Sequence, residues 1–267
     1  WPLPSMAPLA HTLALLAMAV ATEAVEVLPL DMAQTSFDDQ YRDCGPAMTA
    51  ALPALNRSDF QQNPLFAKVW AMATAEWQVR GSRVSPLSSP AQAIALMTYT
   101  MRDLHEDFNK AVREAGRSGR EYRDNFHFKA LHFLLTDALA TLRGTQGQKC
   151  RDVFRGVRDV RFQAKPGDTV RFGQFASASL SETTAKCFGT NTVFQVHTCH
   201  GTDIQEFSKY PGEEEVLIPP FETFKVIDVT QEGKCPRIQL LSAGTHSNYN
   251  CEWLRGDVTE GTTWGGR

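Results

Sequence analysis

The sequence lacks the short glycine-rich motifs that commonly bind nucleotides or carry a nucleophile. No G-x-G-x-x-G follows a predicted strand, no G-x-x-x-x-G-K-S/T occurs, and no Gly-x-Ser-x-Gly elbow is present. These absences argue against a Rossmann site, a P-loop and an α/β-hydrolase. An excess of one charge is also missing, since 27 basic side chains stand against 30 acidic ones in 267 residues. The sequence therefore shows no footprint for nucleic acid and no polybasic segment for a membrane surface.

The cysteine pattern gives no signal for a metal. No C-x-x-C and no Cys/His spacing typical of a metal site occurs, so zinc is not expected. The cysteines are even in number and widely spaced, which favours disulfides in an oxidising compartment. Spacing alone leaves many pairings open. The six cysteines are Cys44, Cys150, Cys187, Cys199, Cys235 and Cys251.

An apolar stretch follows the first methionine. It is too short to span a bilayer and it ends in small residues, as a signal peptide does. Ala19 and Ala21 fit an A-x-A cleavage pattern and Ala24 is a second candidate, although no Lys or Arg precedes the stretch. Residues 1–24 are therefore predicted to be a signal peptide, with residues 1–5 upstream of the methionine. A buried N-terminal helix is the alternative.

The C-terminal residues contain no hydrophobic tail, so no GPI-anchor signal is expected there. Together with the predicted signal peptide, this predicts a secreted protein without a membrane anchor. We also expect a monomer. The tripeptide Asn56-Arg57-Ser58 is a glycosylation sequon, and Asn56 is predicted to carry a glycan if the chain is secreted.

The pattern of apolar residues changes along the chain. Helical periodicity dominates residues 45–144, and short β runs separated by turn residues dominate residues 150–255. Helices followed by strands indicate an α+β fold rather than alternating β/α units. We expect a single domain over residues 25–267. The longest predicted helices run from the candidate cap Ser89 to Gly116 and from Tyr122 to Gly144.

Three segments of the β-rich part carry polar residues in a suggestive order. Arg155 is followed by Gly156, Ser177 lies in the segment FGQFASASLS, and three glutamates open the segment EEEVLIPPFE. Because neighbours on a strand point to opposite faces, Glu213 and Glu215 should share a face. Taken alone, such a triplet is more simply a solvated acidic edge.

Taken together, these segments resemble the arginine-specific mono-ADP-ribosyltransferases, the secreted or surface ecto-enzymes of vertebrates. The order Arg, then Phe-x-Ser-x-Ser, then Glu-x-Glu carries the resemblance, and similar blocks extend from about Phe37 to Cys251. The middle residue of the serine motif is Ala178, where the family usually has Thr or a close variant. The resemblance implies the ADP-ribosyltransferase fold, a helical N-terminal half packed on a mixed two-sheet β core.

The resemblance implies a role for each residue of this sequence that matches the family's motif. The resemblance implies that Arg155 binds the NAD phosphates and ribose, where an arginine fork matches phosphate oxygens. Gly156 lets the backbone approach the nicotinamide amide closely. Ser177 would bond the ribose or nicotinamide side and hold a neighbouring glutamate. Glu215 would be the catalytic glutamate, and Glu213 would receive the arginine of the acceptor.

The implied activity is transfer of ADP-ribose from NAD, a co-substrate, to arginines of secreted or cell-surface proteins or to small guanidino acceptors. No metal is implied. In the family, Gln at the first glutamate position accompanies loss of transfer and retention of NAD hydrolysis, so Glu213 indicates a transferase with some hydrolysis. The alternatives are mainly an NAD glycohydrolase, or a catalytically silent secreted binding module.

Aromatic residues and disulfides complete the expectations. Phe207 or Tyr210 could contact the target protein. The resemblance also implies that Cys44 pairs with Cys251 and Cys150 with Cys199, which leaves Cys187 and Cys235 to each other. Three phenylalanines could stack on nicotinamide, and the sequence does not choose among them: Phe172, Phe175 and Phe188.

Overall fold

The computed structural model describes residues 25–232 and 235–256. The predicted signal peptide, residues 1–24, therefore lies outside the described residues. Helices dominate the first half of the described chain and strands dominate the second, so the α+β prediction is confirmed. No helix of this part combines the length and apolar character needed to cross a bilayer.

Six helices form the first half. Proline in the first turn and a side-chain cap begin two of them: Asn63 accepts a hydrogen bond from the Phe66 amide, and Ser89 from the Gln92 amide. The six are α1 (Gly45–Gln62), α2 (Pro64–Val79), α3 (Pro90–Thr100), α4 (Arg102–Ala115), α5 (Gly119–Asn125) and α6 (Lys129–Thr145). Asn56 lies within α1, and its glycosylation stays a prediction.

Both long predicted helices are interrupted. The first breaks at Met101, which has extended backbone angles (φ −73°, ψ 127°) between α3 and α4. The second breaks at residues 126–128, where Phe126 and Phe128 are both buried in the core. The apolar pattern continues through each break, because the residues at the break are themselves core residues. Periodicity alone therefore could not separate the helices.

The second half is mainly a mixed eight-stranded sheet in the order β4-β9-β10-β6-β2-β5-β8-β7, and β1 and β3 pair in a second, two-stranded sheet. The strands are β1 (Glu26–Pro29), β2 (Arg151–Val157), β3 (Val160–Gln163), β4 (Thr169–Val170), β5 (Ala176–Ser179), β6 (Thr192–Thr198), β7 (Thr202–Asp203), β8 (Glu215–Ile218), β9 (Glu222–Glu232) and β10 (Cys235–Thr245). Two short helices accompany them, α7 (Glu182–Cys187) and α8 (Glu252–Arg255).

Strands β2, β5 and β8 lie side by side. Phe154 of β2 is opposite Ser179 of β5, and Ser179 is opposite Glu215 of β8. The sheet therefore brings together residues that are about 60 positions apart in the sequence. Phe175, just before β5, stacks on Phe108 of α4 with ring centroids 5.6 Å apart, which fixes this part of the sheet to the helices.

A buried ion pair joins the N-terminal segment to the sheet. Arg171 Nη1 lies 2.6 Å from Asp38 Oδ2, and both side chains are fully buried. Asp38 also accepts hydrogen bonds from the amides of Asn248 and Tyr249. Removing one partner of such a pair leaves a buried charge without compensation. The contact therefore fastens three distant segments together.

Two of the three expected disulfides are present, Cys44–Cys251 and Cys150–Cys199. The first closes a loop of 207 residues, which is worth about 5 kcal/mol in the chain-entropy model. The third expected pair is wrong, since Cys187 and Cys235 are free thiols. Cys187 ends α7, whereas Cys235 begins β10 before the stretch of that strand that pairs with β6.

Candidate active site

A cavity of about 720 Å³ opens where β2, β5 and β8 meet α7 and the α3–α4 junction. All four residues to which the sequence assigned chemistry line it: Arg155, Ser177, Glu213 and Glu215. They come from separate segments, so their meeting is a consequence of the strand order.

Arg155 is held by the sheet. Its Nη1 donates to the backbone carbonyl of Ser177 at 2.6 Å, across from β2 to β5. Burial lowers the pKa of Arg155 from its ordinary value, and the neighbouring Tyr99 and Glu215 oppose that shift. Arginine nevertheless stays protonated in proteins. The side chain is a fixed cation with further N–H donors available in the cavity.

Ser177 belongs to a hydrogen-bonded chain that reaches the helical half. The Tyr99 hydroxyl donates to the Phe175 carbonyl at 2.9 Å and lies 3.3 Å from Ser177 Oγ. Ser177 in turn bonds the carboxylate of Glu215. Tyr99 was missed by the sequence reasoning, because a tyrosine in an apolar helix is indistinguishable from a core residue. Burial raises the pKa of Tyr99 to about 12.

Glu215 is the first residue of β8 and only 6 % of it is exposed. Its Oε2 accepts a hydrogen bond from Ser208 Oγ at 3.1 Å. Burial raises its pKa, Glu213 adds to that effect, and hydrogen bonds from Ser177 and Ser208 together with the charge of Arg155 oppose it. Glu215 is therefore a buried carboxylate held in one orientation by two hydroxyl groups.

The expectation that Glu213 and Glu215 share a strand face is wrong. Glu213 ends a single 3₁₀ turn (Pro211–Glu213), and only Glu215 is in the strand. Glu214 between them is exposed and left-handed, with φ 49°. Proline followed by glycine favours a turn over a strand. The left-handed residue turns the chain so that both flanking glutamates still line the cavity.

Glu213 lies at the outer part of the cavity beside an arginine. Arg102 Nη2 is 3.7 Å from Glu213 Oε1, and its guanidinium lies 5.0 Å from the centre of the Tyr210 ring. Burial raises the pKa of Glu213, and Arg102 opposes that shift. The side chain of Arg102 is 74 % exposed. No motif marked Arg102 in the sequence, since its position depends on the break at Met101.

The structure distinguishes among the aromatic candidates. Phe175 is fully buried and Phe172 packs against the sheet core, so neither stands free at the cavity. Phe188, just after α7, is 44 % exposed and lines the cavity. Phe207 is buried, so its expected contact with a target protein is wrong, whereas Tyr210 lines the cavity.

Gly156 also lines the cavity, and its lack of a side chain has a visible reason. A Cβ there would lie 2.2 Å from the carbonyl oxygen of Ala185 and 2.3 Å from that of Gly189. Such distances are sterically forbidden between backbone atoms and a side chain. Glycine at this position therefore allows α7, with Phe188 beyond it, to pack directly on β2.

Comparison with known proteins gives consistent results. The family model described as NAD:arginine ADP-ribosyltransferase matches residues 30–248. The GPI-linked NAD(P)(+)–arginine ADP-ribosyltransferase 1 of Oryctolagus cuniculus is 50% identical over 244 residues, which cover 85% of this chain and 75% of that protein. The erythroblast NAD(P)(+)–arginine ADP-ribosyltransferase of Gallus gallus is 49% identical over 234 residues, 86% of this chain and 78% of that protein.

A solved structure agrees with these relatives. A mutant of the eukaryotic mono-ADP-ribosyltransferase ART2.2 in complex with NAD superposes with a TM-score of 0.73 and 37% identity, covering 84% of this chain and 98% of the other. The expected ADP-ribosyltransferase fold is thereby confirmed. With the matching model, the relatives and the fold in agreement, the chain belongs to the NAD:arginine ADP-ribosyltransferase family.

Proposed function

We propose that this protein transfers ADP-ribose from NAD to the guanidinium of arginine and releases nicotinamide. One observation carries the proposal: two carboxylates of different exposure, Glu213 and Glu215, open onto one cavity with Arg155 and Ser177. The buried carboxylate suits cleavage of the nicotinamide–ribose bond. The more exposed one suits reception of an acceptor from solvent.

Arg155 binds the pyrophosphate of NAD in this proposal. A fixed guanidinium with free N–H donors matches the oxygens of a pyrophosphate. The relative solved with NAD supports NAD as the co-substrate here. Phe188 supports the same assignment, because its exposed ring at the cavity wall can stack on a flat heteroaromatic ring.

Glu215 acts when the bond to nicotinamide breaks. Positive charge then develops on the ribose, as in the oxocarbenium-like transition state of glycoside cleavage. A carboxylate already oriented by Ser177 and Ser208 stabilises that charge without reorganising. The same carboxylate can accept a hydrogen bond from the ribose 2′-hydroxyl, which positions the sugar.

Glu213 acts on the acceptor. A protonated guanidinium is a poor nucleophile, so it must lose a proton as it attacks the ribose. The charged guanidinium of Arg102 already lies 3.7 Å from Glu213 Oε1, which supports a guanidinium-binding role for this carboxylate. An acceptor arginine that displaces Arg102 would meet the base that takes its proton.

The disulfides support an extracellular setting for the reaction. Cys44–Cys251 and Cys150–Cys199 favour an oxidising compartment such as the extracellular space. Arginine-containing proteins exposed there, or small guanidino compounds, are the proposed acceptors. The proposed active form of the enzyme is a monomer.

Labelled NAD incubated with agmatine, a small guanidino acceptor, tests the proposal. The expected product is an ADP-ribosyl–agmatine adduct with one nicotinamide released for each adduct. Free ADP-ribose without adduct would instead show that water is the acceptor and that the enzyme is a glycohydrolase. Unchanged NAD would show a silent binding module and overturn the proposal.

A further inference from the structure

Four potential metal ligands lie on one face of the β2–β6 ladder, away from the cavity. Asp152 of β2 is directly opposite His197 of β6, and the neighbouring register pair is Arg151 with Thr198. The next pair along is Cys150 with Cys199, which is disulfide-bonded. Residues two apart on a strand point to the same face. The two cysteines, the histidine and the aspartate therefore form a rectangle on that face.

The distances within this rectangle are short. The sulfurs of Cys150 and Cys199 and a ring nitrogen of His197 all lie within 4.8 Å of one another. His197 Nδ1 is 2.8 Å from Asp152 Oδ1. The His197 side chain is 40 % exposed and that of Asp152 72 % exposed, so an ion has access from solvent. Within the described ranges, Cys150, His197 and Cys199 are the one group of three potential metal ligands that lie this close together.

The disulfide decides whether the sulfurs can act as ligands. Bonded to each other, they are not thiolates and cannot coordinate a metal in the usual way. Zinc binds thiolate sulfur at about 2.3 Å and imidazole nitrogen at about 2.0 Å in a tetrahedron, so two sulfur ligands lie roughly 3.8 Å apart. Two side chains that face each other across paired strands reach that separation once the S–S bond is broken.

We infer that reduction of the Cys150–Cys199 disulfide creates a zinc site, in which both thiolates and the His197 imidazole bind the ion. One ring nitrogen binds zinc while Asp152 holds the other, an arrangement in which a carboxylate orients the histidine ligand. The fourth position is taken by water. His197 and Cys199 are only two residues apart, a spacing outside the usual zinc motifs, and the third ligand, Cys150, comes from the neighbouring strand segment, so the sequence did not predict this site.

The chemistry balances with a phosphine as the reductant. The disulfide, the phosphine and one water give two thiols and a phosphine oxide, so the sulfurs take up the two electrons that the phosphorus loses. Zinc then replaces the two thiol protons, which are released to solvent. Affinity for zinc should therefore rise with pH.

The site has a structural consequence for the reduced protein. β2 begins immediately after Cys150 and contains Arg155 and Gly156, both at the cavity. A metal that links Cys150 to Cys199 would fasten the same two strands that the disulfide fastens. Zinc should thus raise the unfolding temperature of the reduced protein and leave that of the oxidised protein unchanged.

The test titrates zinc and cobalt(II) into phosphine-reduced protein and into oxidised protein. The reduced protein should bind one zinc that the oxidised protein does not bind, and the cobalt form should show a thiolate-to-metal absorption band. His197→Ala keeps the disulfide and should weaken zinc binding at least about tenfold, while Asp152→Asn should weaken it about ten- to hundredfold.

Two controls keep the outcome decisive. Reduction also opens Cys44–Cys251, so Cys150→Ser/Cys199→Ser, which retains the other four cysteines, should lose this zinc. His246→Ala, at a surface histidine outside the rectangle, should bind zinc as the parent does. Equal binding by oxidised and reduced protein, or full binding by His197→Ala, would overturn the inference.

Discussion

The floor of the cavity (Arg155, Ser177 and Glu215) and its rim (Arg102, Tyr210 and Glu213) are built differently. Each floor residue is held by hydrogen bonds between strands or from buried hydroxyl groups. The rim contains one 3.7 Å ion pair and one ring contact, both involving an arginine that is 74 % exposed. The floor residues are held in place before any substrate binds. At the rim, the Arg102 partner of Glu213 can be replaced by another guanidinium.

This difference matches the two chemical tasks proposed for the cavity, cleavage of NAD and deprotonation of the acceptor. Charge that develops in a transition state is best stabilised by groups that need no rearrangement. A carboxylate that receives successive acceptors must instead release its present partner at low cost, and exposed ion pairs are worth only about 0–1 kcal/mol. The comparison therefore predicts that floor substitutions affect transfer and hydrolysis alike, while rim substitutions affect transfer selectively.

Glu215→Gln should have the largest effect. Losing the negative charge at the ribose should lower both agmatine transfer and NAD hydrolysis by about 1,000-fold. Rates of adduct and ADP-ribose formation measure both reactions. Glu214→Gln is the matched control, because Glu214 is exposed between the two cavity glutamates, and it should leave both rates unchanged. Retention of hydrolysis in Glu215→Gln would contradict the role proposed for Glu215 at the ribose.

Glu213→Gln should separate the two reactions. Transfer to agmatine should fall about 100-fold, because the amide cannot accept the guanidinium proton. Hydrolysis of NAD should be largely retained, since the floor is intact. The ratio of adduct to free ADP-ribose is the measurement. Normal transfer by this variant would show that another group takes the proton.

Tyr99→Phe should have a smaller effect that is shared by both reactions. It removes the hydroxyl that contacts Ser177 and leaves the Phe175 carbonyl without that donor. A lost hydrogen bond of this kind costs about 1 kcal/mol, so both rates should fall by less than about tenfold. A fall in transfer alone would show that Tyr99 acts on the acceptor reaction, as the rim residues do, and does not support the floor residues.

Arg102→Ala should have the smallest effect, visible in the pH profile. Arg102 lowers the pKa of Glu213, so its removal raises that pKa. Since Glu213 must be ionised to accept a proton, the acid limb of transfer should move to higher pH. The acid limb of hydrolysis should stay in place, because Arg102 is not among the groups that shift the pKa of Glu215.

Arg102→Lys is the control for charge and should keep the transfer limb near its parental position. Arg102→Ala should also lower the KM for agmatine, because the acceptor no longer competes with an internal guanidinium. An increased KM for NAD instead would show that Arg102 binds the phosphates of NAD and does not occupy the acceptor position at Glu213.

Much of the fold and the main site residues could be predicted from sequence. The change from helical to strand periodicity predicted the α+β class, and the family resemblance pointed to Arg155, Ser177 and Glu215, which the strand order brings to one cavity. Glu213 does line the cavity, but the strand face that it was predicted to share with Glu215 does not exist. Strand alternation was applied to a segment that the proline and glycine before it make into a turn.

The remaining differences depend on tertiary structure. Tyr99 and Arg102 acquire their contacts from the break at Met101, which an uninterrupted apolar pattern conceals. The pairing of Cys187 with Cys235 was inferred by exclusion and is wrong: Cys187 ends α7, Cys235 begins β10, and both are free thiols. Packing likewise decides which of the three candidate phenylalanines is exposed at the cavity, and of these three it is Phe188.

The short interruption at Met101 connects the two chemical tasks. Tyr99 on one side reaches the floor, and Arg102 on the other reaches the rim. Thr100 between them accepts a hydrogen bond from the Lys209 amide at 2.8 Å, at the start of the loop that carries Glu213. One junction of a few residues thus sets the spacing between the proposed site of nicotinamide–ribose cleavage and the proposed binding position of the acceptor.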